Sequence, residues 1–210
     1  MDWTFHGFAS RFDSHVRAQL PWYPMATEAV ALIARHYIPQ GGLVYDIGAG
    51  TGNIGRALAN TLQTRVAALV ALDESPDMVA AYDAPGTAER ANAELFDYQP
   101  FDVAIAFLTL MFLAVPTRRE LLHRLRQTMR PGGAIIVMDK EVSPGGYSAT
   151  VLARLTWAAK VAQGVPPAEI AEKELMLVGV QRPLYRGELG KDAVEVFRFG
   201  DFTGHIIEKK

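Results

Sequence analysis

Leu43-Val44-Tyr45-Asp46-Ile47 is an apolar run with a single acid near its end, and it passes directly into Gly48-Ala49-Gly50-Thr51-Gly52-Asn53-Ile54-Gly55. The run reads as a buried strand. The alternate glycines read as a turn whose backbone folds sharply and comes close to a ligand. Ile54 to Leu62 reads as the helix that follows. Strand, glycine turn and helix in this order open a parallel α/β sheet. In such a sheet, ligands bind beyond the carboxyl ends of the strands, where the strand order reverses.

The remainder of the chain keeps the alternation. Strands are expected at Val66–Leu72, Ala91–Phe96, Val103–Phe107, Ala134–Met138, Val194–Phe199 and Phe202–Ile207. Helices are expected at Trp3–Leu20, Met25–Tyr37, Pro76–Tyr82, Thr117–Met129, Tyr147–Gln163 and Pro167–Met176. Ser75 before Pro76 is a helix start, a capping hydroxyl followed by a residue whose missing N–H costs nothing there. With 210 residues, one domain is expected, with residues 1–40 as a helical cap and 140–192 as a helical insertion on the substrate side.

The loop at Gly48 fits two ligands. Gly50, Gly52 and Gly55 fit a dinucleotide fingerprint, with Asp73 at a suitable distance. Gly48, Gly50 and Gly52 fit the loop of S-adenosylmethionine (SAM) binders. Charge favours the second. A dinucleotide would bring a pyrophosphate to this turn, and Asp46 would repel it. SAM carries no phosphate, and its cationic portion suits an acidic strand end.

Asp73, with Glu74 beside it, ends the second strand, where a carboxylate can accept both ribose hydroxyls. Met78 could pack on an adenine face. In Phe96-Asp97-Tyr98, the acid could accept the adenine amino group and the next N–H could donate to the ring.

Together these segments resemble a class I SAM-dependent methyltransferase, from Leu43 to Asp139, with Arg130-Pro131-Gly132-Gly133-Ala134 as a further shared motif. The resemblance implies a Rossmann-like α/β fold. Its sheet is mostly parallel and seven-stranded, with an antiparallel last strand and helices on both faces. The implied cofactor is SAM or its carboxylated form. A narrower likeness lies in Gln19-Leu20-Pro21-Trp22-Tyr23, Phe107-Leu108-Thr109-Leu110-Met111-Phe112-Leu113 and Phe197-Arg198-Phe199-Gly200-Asp201-Phe202. These are similar to the carboxy-SAM synthase family of wobble-uridine tRNA modification, whose members use prephenate. That likeness implies Tyr23 over the cofactor and a substrate side after Lys140. The family has Asn where this chain has Phe107, and a carboxylate-gripping Arg for which only Arg182 or Arg186 is available.

Methyl transfer needs acceptor and sulfonium held at near-attack distance. An aromatic face, Tyr23 or Phe107, suits the cation. On the acceptor side the candidates are His15, Tyr23, Asp139, Lys140 and Tyr147, with Arg182 and Arg186 for an anionic acceptor. Arg118, Arg119, Arg124, Arg126 and Arg130 form a basic stripe that reads as a solvated helix face more readily than as a nucleic-acid contact.

The net charge of −2 excludes a strongly basic nucleic-acid binder as the default, and the absence of Cys excludes a disulfide framework, a Cys-based zinc site and a Cys nucleophile. No metal site is expected. The N-terminus lacks the pattern of a signal peptide, and Val103–Val115 is too short to span a bilayer. The expectation is a cytoplasmic SAM-dependent methyltransferase acting on a small or unknown acceptor, with carboxy-SAM synthesis and a non-catalytic SAM-binding module as alternatives, and with a homodimer suggested.

Overall fold

A computed structural model describes residue 9 and residues 12–142 and 145–210. Two helices, α1 (Phe12–Gln19) and α2 (Tyr23–Ala34), precede the first strand. The alternation then runs β1 (Leu43–Ile47), α3 (Asn53–Arg65), β2 (Ala68–Asp73), α4 (Pro76–Ala80), β3 (Thr87–Arg90), β4 (Phe101–Phe107), α5 (Val115–Thr128) and β5 (Met129–Lys140). Helices α6 (Tyr147–Ala162) and α7 (Pro167–Met176) follow, then β6 (Val194–Phe199) and β7 (Phe202–Glu208). Phe5 and Phe8 of the expected first helix lie outside the described residues.

The strands form one seven-stranded sheet in the order β3-β2-β1-β4-β5-β7-β6. β1 to β5 are parallel, and β7 inserts antiparallel between β5 and β6. Strand order reverses at β1, which pairs with β2 on one side and β4 on the other.

Alternation along the strands divides two apolar layers. Val44, Val103, Ile105, Ile136 and Met138 meet α2 and α3 through Ala26, Val30, Ile54 and Leu58. Tyr45, Ile47, Ala104, Ile135 and Val137 meet α5 through Leu121, Leu122 and Leu125. Among the described residues, no helix is long and apolar enough to cross a membrane.

Three expectations need correction. The third strand is Thr87–Arg90, not Ala91–Phe96. It is a short edge strand with three of its four residues exposed, so burial leaves no apolar signature on it. β5 begins at Met129, ahead of Pro131-Gly132-Gly133. Met129 pairs with Phe101, and an irregularity before Val103 absorbs the insertion. The arginines near α5 do not form a solvated stripe. Arg118 is fully buried, Arg124 donates to the carbonyls of Glu94 and Phe96, Arg126 pairs with Asp192, and Arg130 pairs with Asp102 at 2.7 Å.

Candidate active site

The carboxyl ends of β1, β2 and β4 open into a cleft of about 920 Å³, bounded also by α1 and, at its other end, by α6 and α7. Gly48 turns the chain there with φ +72°, a conformation that L side chains rarely adopt. The N–H groups of Gly48 and Ala49 donate to Leu72 O, at 2.8 and 3.0 Å, which pins the loop to β2. A Cβ on Gly48 would lie 2.4 Å from Thr109 Oγ1, and that hydroxyl donates to Ile47 O at 2.8 Å. Gly48→Ala is therefore expected to lower stability by about 1–3 kcal/mol and to lose cofactor binding, as thermal unfolding and a SAM titration would record.

Asp46 is 1% exposed and lines the cleft, and its Oδ2 has no hydrogen-bond partner. Burial, helped by the charge of Asp73, pushes its carboxyl up to about 7. A buried acid oxygen left without a donor is costly. A bound cation or ammonium would satisfy it.

Asp73 accepts two backbone N–H groups, from Gly50 at 2.8 Å and Ser75 at 2.9 Å. Each oxygen keeps a further lone pair. Asp73 thus fixes the glycine loop and still offers both oxygens to a diol. Burial raises its pKa, while these two bonds lower it. Ser75 caps α4 as expected, accepting from Met78 N–H at 3.4 Å. Glu74 and buried Met78 also line the cleft.

The structure does not bring Asp97 and Tyr98 to the cleft. Asp97 is exposed, and Tyr98 is buried in the α5 layer, edge-on to Tyr45 at 5.0 Å. The reason is the earlier end of β3: the residues that reach the cleft there are Ala91, Asn92, Ala93 and Glu94. Asn92 accepts Glu94 N–H through Oδ1 at 2.8 Å and points Nδ2 to Glu74 at 3.4 Å.

Tyr23 and Phe107 meet edge to face, centroids 5.3 Å apart, and both line the cleft. Arg17 stands 5.7 Å from the Tyr23 centroid, and burial raises the Tyr23 hydroxyl pKa. α1 is tied across the cleft. Asp13 accepts from Thr51 at 2.9 Å and pairs with Arg56, while Gln19 donates to Glu169 of α7 at 2.9 Å.

Of the acceptor-side candidates, His15, Lys140 and Arg182 line the cleft, whereas Arg186 and Tyr147 are exposed outside its lining. Asp139 is fully buried and accepts the N–H groups of Lys140 at 2.8 Å and Met111 at 3.2 Å, an internal structural role. Lys160, Lys173 and Glu174 also line the cleft. Sequence alone does not single them out, because charges on amphipathic helices carry no sign of where they point.

Residues 45–135 match a family described as a methyltransferase domain. The carboxy-S-adenosyl-L-methionine synthase of Ectopseudomonas mendocina (strain ymp) is 30% identical over 185 residues, covering 82% of this chain and 75% of the relative. The protein of the same name from Staphylococcus epidermidis (strain ATCC 35984) is 29% identical over 224 residues, 99% of this chain and 97% of the relative. Among solved structures, magnesium protoporphyrin IX methyltransferase from Synechocystis PCC 6803, with bound SAH, superposes with a TM-score of 0.61. It is 15% identical over 98% of this chain and 96% of that one. A complex of the Haloferax volcanii Trm112 methyltransferase activator with a methyltransferase gives 0.64 at 12% identity over the full length of both chains. At such identities these structures speak for the fold alone.

Proposed function

As a member of the carboxy-S-adenosyl-L-methionine synthase family this chain is a class I SAM-dependent transferase, and we propose that it transfers the methyl group of SAM to a small-molecule acceptor in the cleft. The observation that carries the reading is Asp46: a buried carboxylate oxygen without a partner beside a glycine turn. It suits the ammonium of SAM and would oppose a pyrophosphate.

When bound, SAM supplies a methyl on a cationic sulfur, an electrophile that needs no metal. The roles we assign to the chain are to bind and orient. Asp46 takes the ammonium, and the backbone of Gly48, Ala49 and Gly50 lets the cofactor approach closely. Asp73 takes the ribose diol through its free lone pairs, with Glu74 beside it. Met78 packs against the adenine, and Asn92, in the place expected of Asp97, reads its polar edge. Tyr23 and Phe107 present aromatic faces near the sulfonium, where a cation–π contact helps hold it. Both are nearly fully buried, so they also keep water from the reacting carbon.

Replacing Asn92 with Ala is expected to weaken SAM binding by about fivefold to tenfold, the loss of one hydrogen bond. Asp97→Ala should leave binding unchanged. Calorimetric titration of both variants separates an adenine site after β3 from one after Phe96.

A second reading, synthesis of carboxy-SAM from SAM and prephenate, is favoured by the name shared by the relatives. Incubation with both compounds decides between the two. A SAM heavier by one carboxyl unit would establish the second reading, and conversion of SAM to SAH with a methylated acceptor would establish the first. We place the reaction in the cytoplasm. We also favour a homodimer, supported by exposed Tyr147, Val151 and Trp157 on α6. Sedimentation tests the dimer.

A further inference from the structure

Outside the cleft, toward the β6 edge of the sheet, a histidine is buried without a hydrogen bond. His205 of β7 is 8% exposed, and neither of its ring nitrogens has a hydrogen-bond partner. A buried imidazole normally bonds through at least one nitrogen, and leaving both unbonded is costly. In β7 the residue is antiparallel partner to Val137 of β5 on one side and to Glu195 of β6 on the other.

Two acids stand beside it. Glu141, directly after β5, is buried, and its Oε2 lies 3.3 Å from His205 Nε2. Glu195 is exposed at the rim. One ligand atom from each of the three residues lies within 4.8 Å of the other two. Arg198 of β6 bridges the acids from the far side. Its Nη2 donates to Glu141 Oε1 at 2.9 Å and to Glu195 Oε2 at 2.7 Å, and its Nε donates to Glu195 Oε1 at 2.7 Å. One guanidinium thus meets two carboxylates, and the second oxygen of Glu141 is the one turned to the imidazole.

Carboxylate oxygen and imidazole nitrogen together make a donor set for a divalent transition metal. A tetrahedral zinc ion with bonds of about 2.1 Å spaces its ligand atoms about 3.4 Å apart. Glu141 Oε2 and His205 Nε2 already stand at 3.3 Å, so the buried half of such a site needs little movement. Glu195, exposed at the rim, leaves the ion a route from water. It completes a set of three protein ligands by turning away from Arg198, and a water takes the fourth position.

We propose that Glu141, Glu195 and His205 bind a divalent transition-metal ion of the zinc type, with Arg198 as the cation that competes for the two acids. The bound ion fastens the end of β5 to β6 and β7. None of the three ligands lines the cleft, so the site is separate from the one assigned to SAM and stands whether or not that assignment does. Arg198 keeps its bond to Glu141 Oε1 when Oε2 takes the metal, and yields Glu195. The three ligands are far apart in sequence and on different strands, so spacing along the chain gives no sign of them.

The test is calorimetric titration of the tag-free chain, first stripped with a chelator, with zinc chloride. The expected result is one zinc ion per chain with a Kd of about 10 μM or tighter. His205→Gln and Glu141→Gln should each weaken binding about tenfold or more, and Arg198→Gln should strengthen it several-fold by removing the competing cation. Zinc should also raise Tm, because it binds the folded chain and draws three strands together, and the rise should be larger in Arg198→Gln than in the natural chain. Arg198→Gln keeps the test decisive if a ligand variant fails to fold. A repeat with SAM present should give the same zinc affinity within about twofold. Four results would overturn the proposal: no zinc binding at about 100 μM, unchanged affinity in His205→Gln, weaker or unchanged affinity in Arg198→Gln, or zinc binding that SAM abolishes. The second would place the ion on other histidines, and the last would place it on the acids of the cleft.

Discussion

Asp46→Asn is expected to melt higher than the natural chain when no cofactor is present, and to bind SAM at least about tenfold more weakly. The two effects have one cause. The Asp46 carboxyl titrates near 7 in the folded chain against an ordinary value of 3.8, because burial and the charge of Asp73 disfavour its ionised form. The folded state therefore holds a proton across that window that the unfolded chain has released. Stability contributed by this group falls as pH rises from about 4 to about 7, and the full cost remains above it. Asparagine carries no charge and removes that cost. The variant's advantage should be small near pH 4, grow through neutrality and level off at about 10 °C by pH 8. Loss of the carboxylate also removes the counter-charge for the ammonium, a charge-assisted bond stronger than a neutral one. Thermal melts at pH 5 and pH 8, with and without SAM, measure both effects. A difference in Tm that does not vary with pH, or undiminished SAM affinity, would show that Asp46 has another role.

Arg118→Met is expected to cost about 3–5 kcal/mol, a larger stability loss than that of Gly48→Ala. Arg118 and Glu188 form a two-pronged pair, with Nε and Nη2 each 2.7 Å from a carboxylate oxygen, and both side chains are almost fully buried. The same guanidinium donates to the carbonyls of Arg182 and Pro183. It thereby fastens residues 182–188 to α5, and Arg182 N–H fastens to Met111 O. Removing the cation strands a buried carboxylate. Changing both residues to Met and Leu removes both charges and should recover most of the loss. Urea unfolding of the single and double variants tests this. A single-variant cost under about 1 kcal/mol would put the pair among ordinary surface ion pairs.

The alternation of strands and helices and the first loop are legible in the sequence because each rests on a local rule, whereas the antiparallel last strand follows only from the family resemblance. An apolar strand followed by alternate glycines has few other uses, and Ser75-Pro76 marks a helix start by its own chemistry. The third strand is not legible, because Thr87-Ala88-Glu89-Arg90 pairs on one side only and faces water. That displaces the adenine side as well: Asp97 reads as the acid after a strand only when the strand is taken to end at Phe96 rather than at Arg90. Arg118 misleads for a different reason. On a helical wheel it stands among other arginines, and the return of residues 182–190 covers it. The place of Lys140, Lys160 and Lys173 along the cleft is hidden for the same reason, since they come to it from three elements brought together by folding.

The function proposed for the cleft requires the acid at the end of β1 to select a phosphate-free, cationic nucleoside. Calorimetric titration of the natural chain with SAM, and separately with NAD, reads that selection itself. Saturable SAM binding is expected at micromolar concentrations, with none for NAD at about a hundredfold higher concentration. Tight binding of NAD with no binding of SAM would refute it.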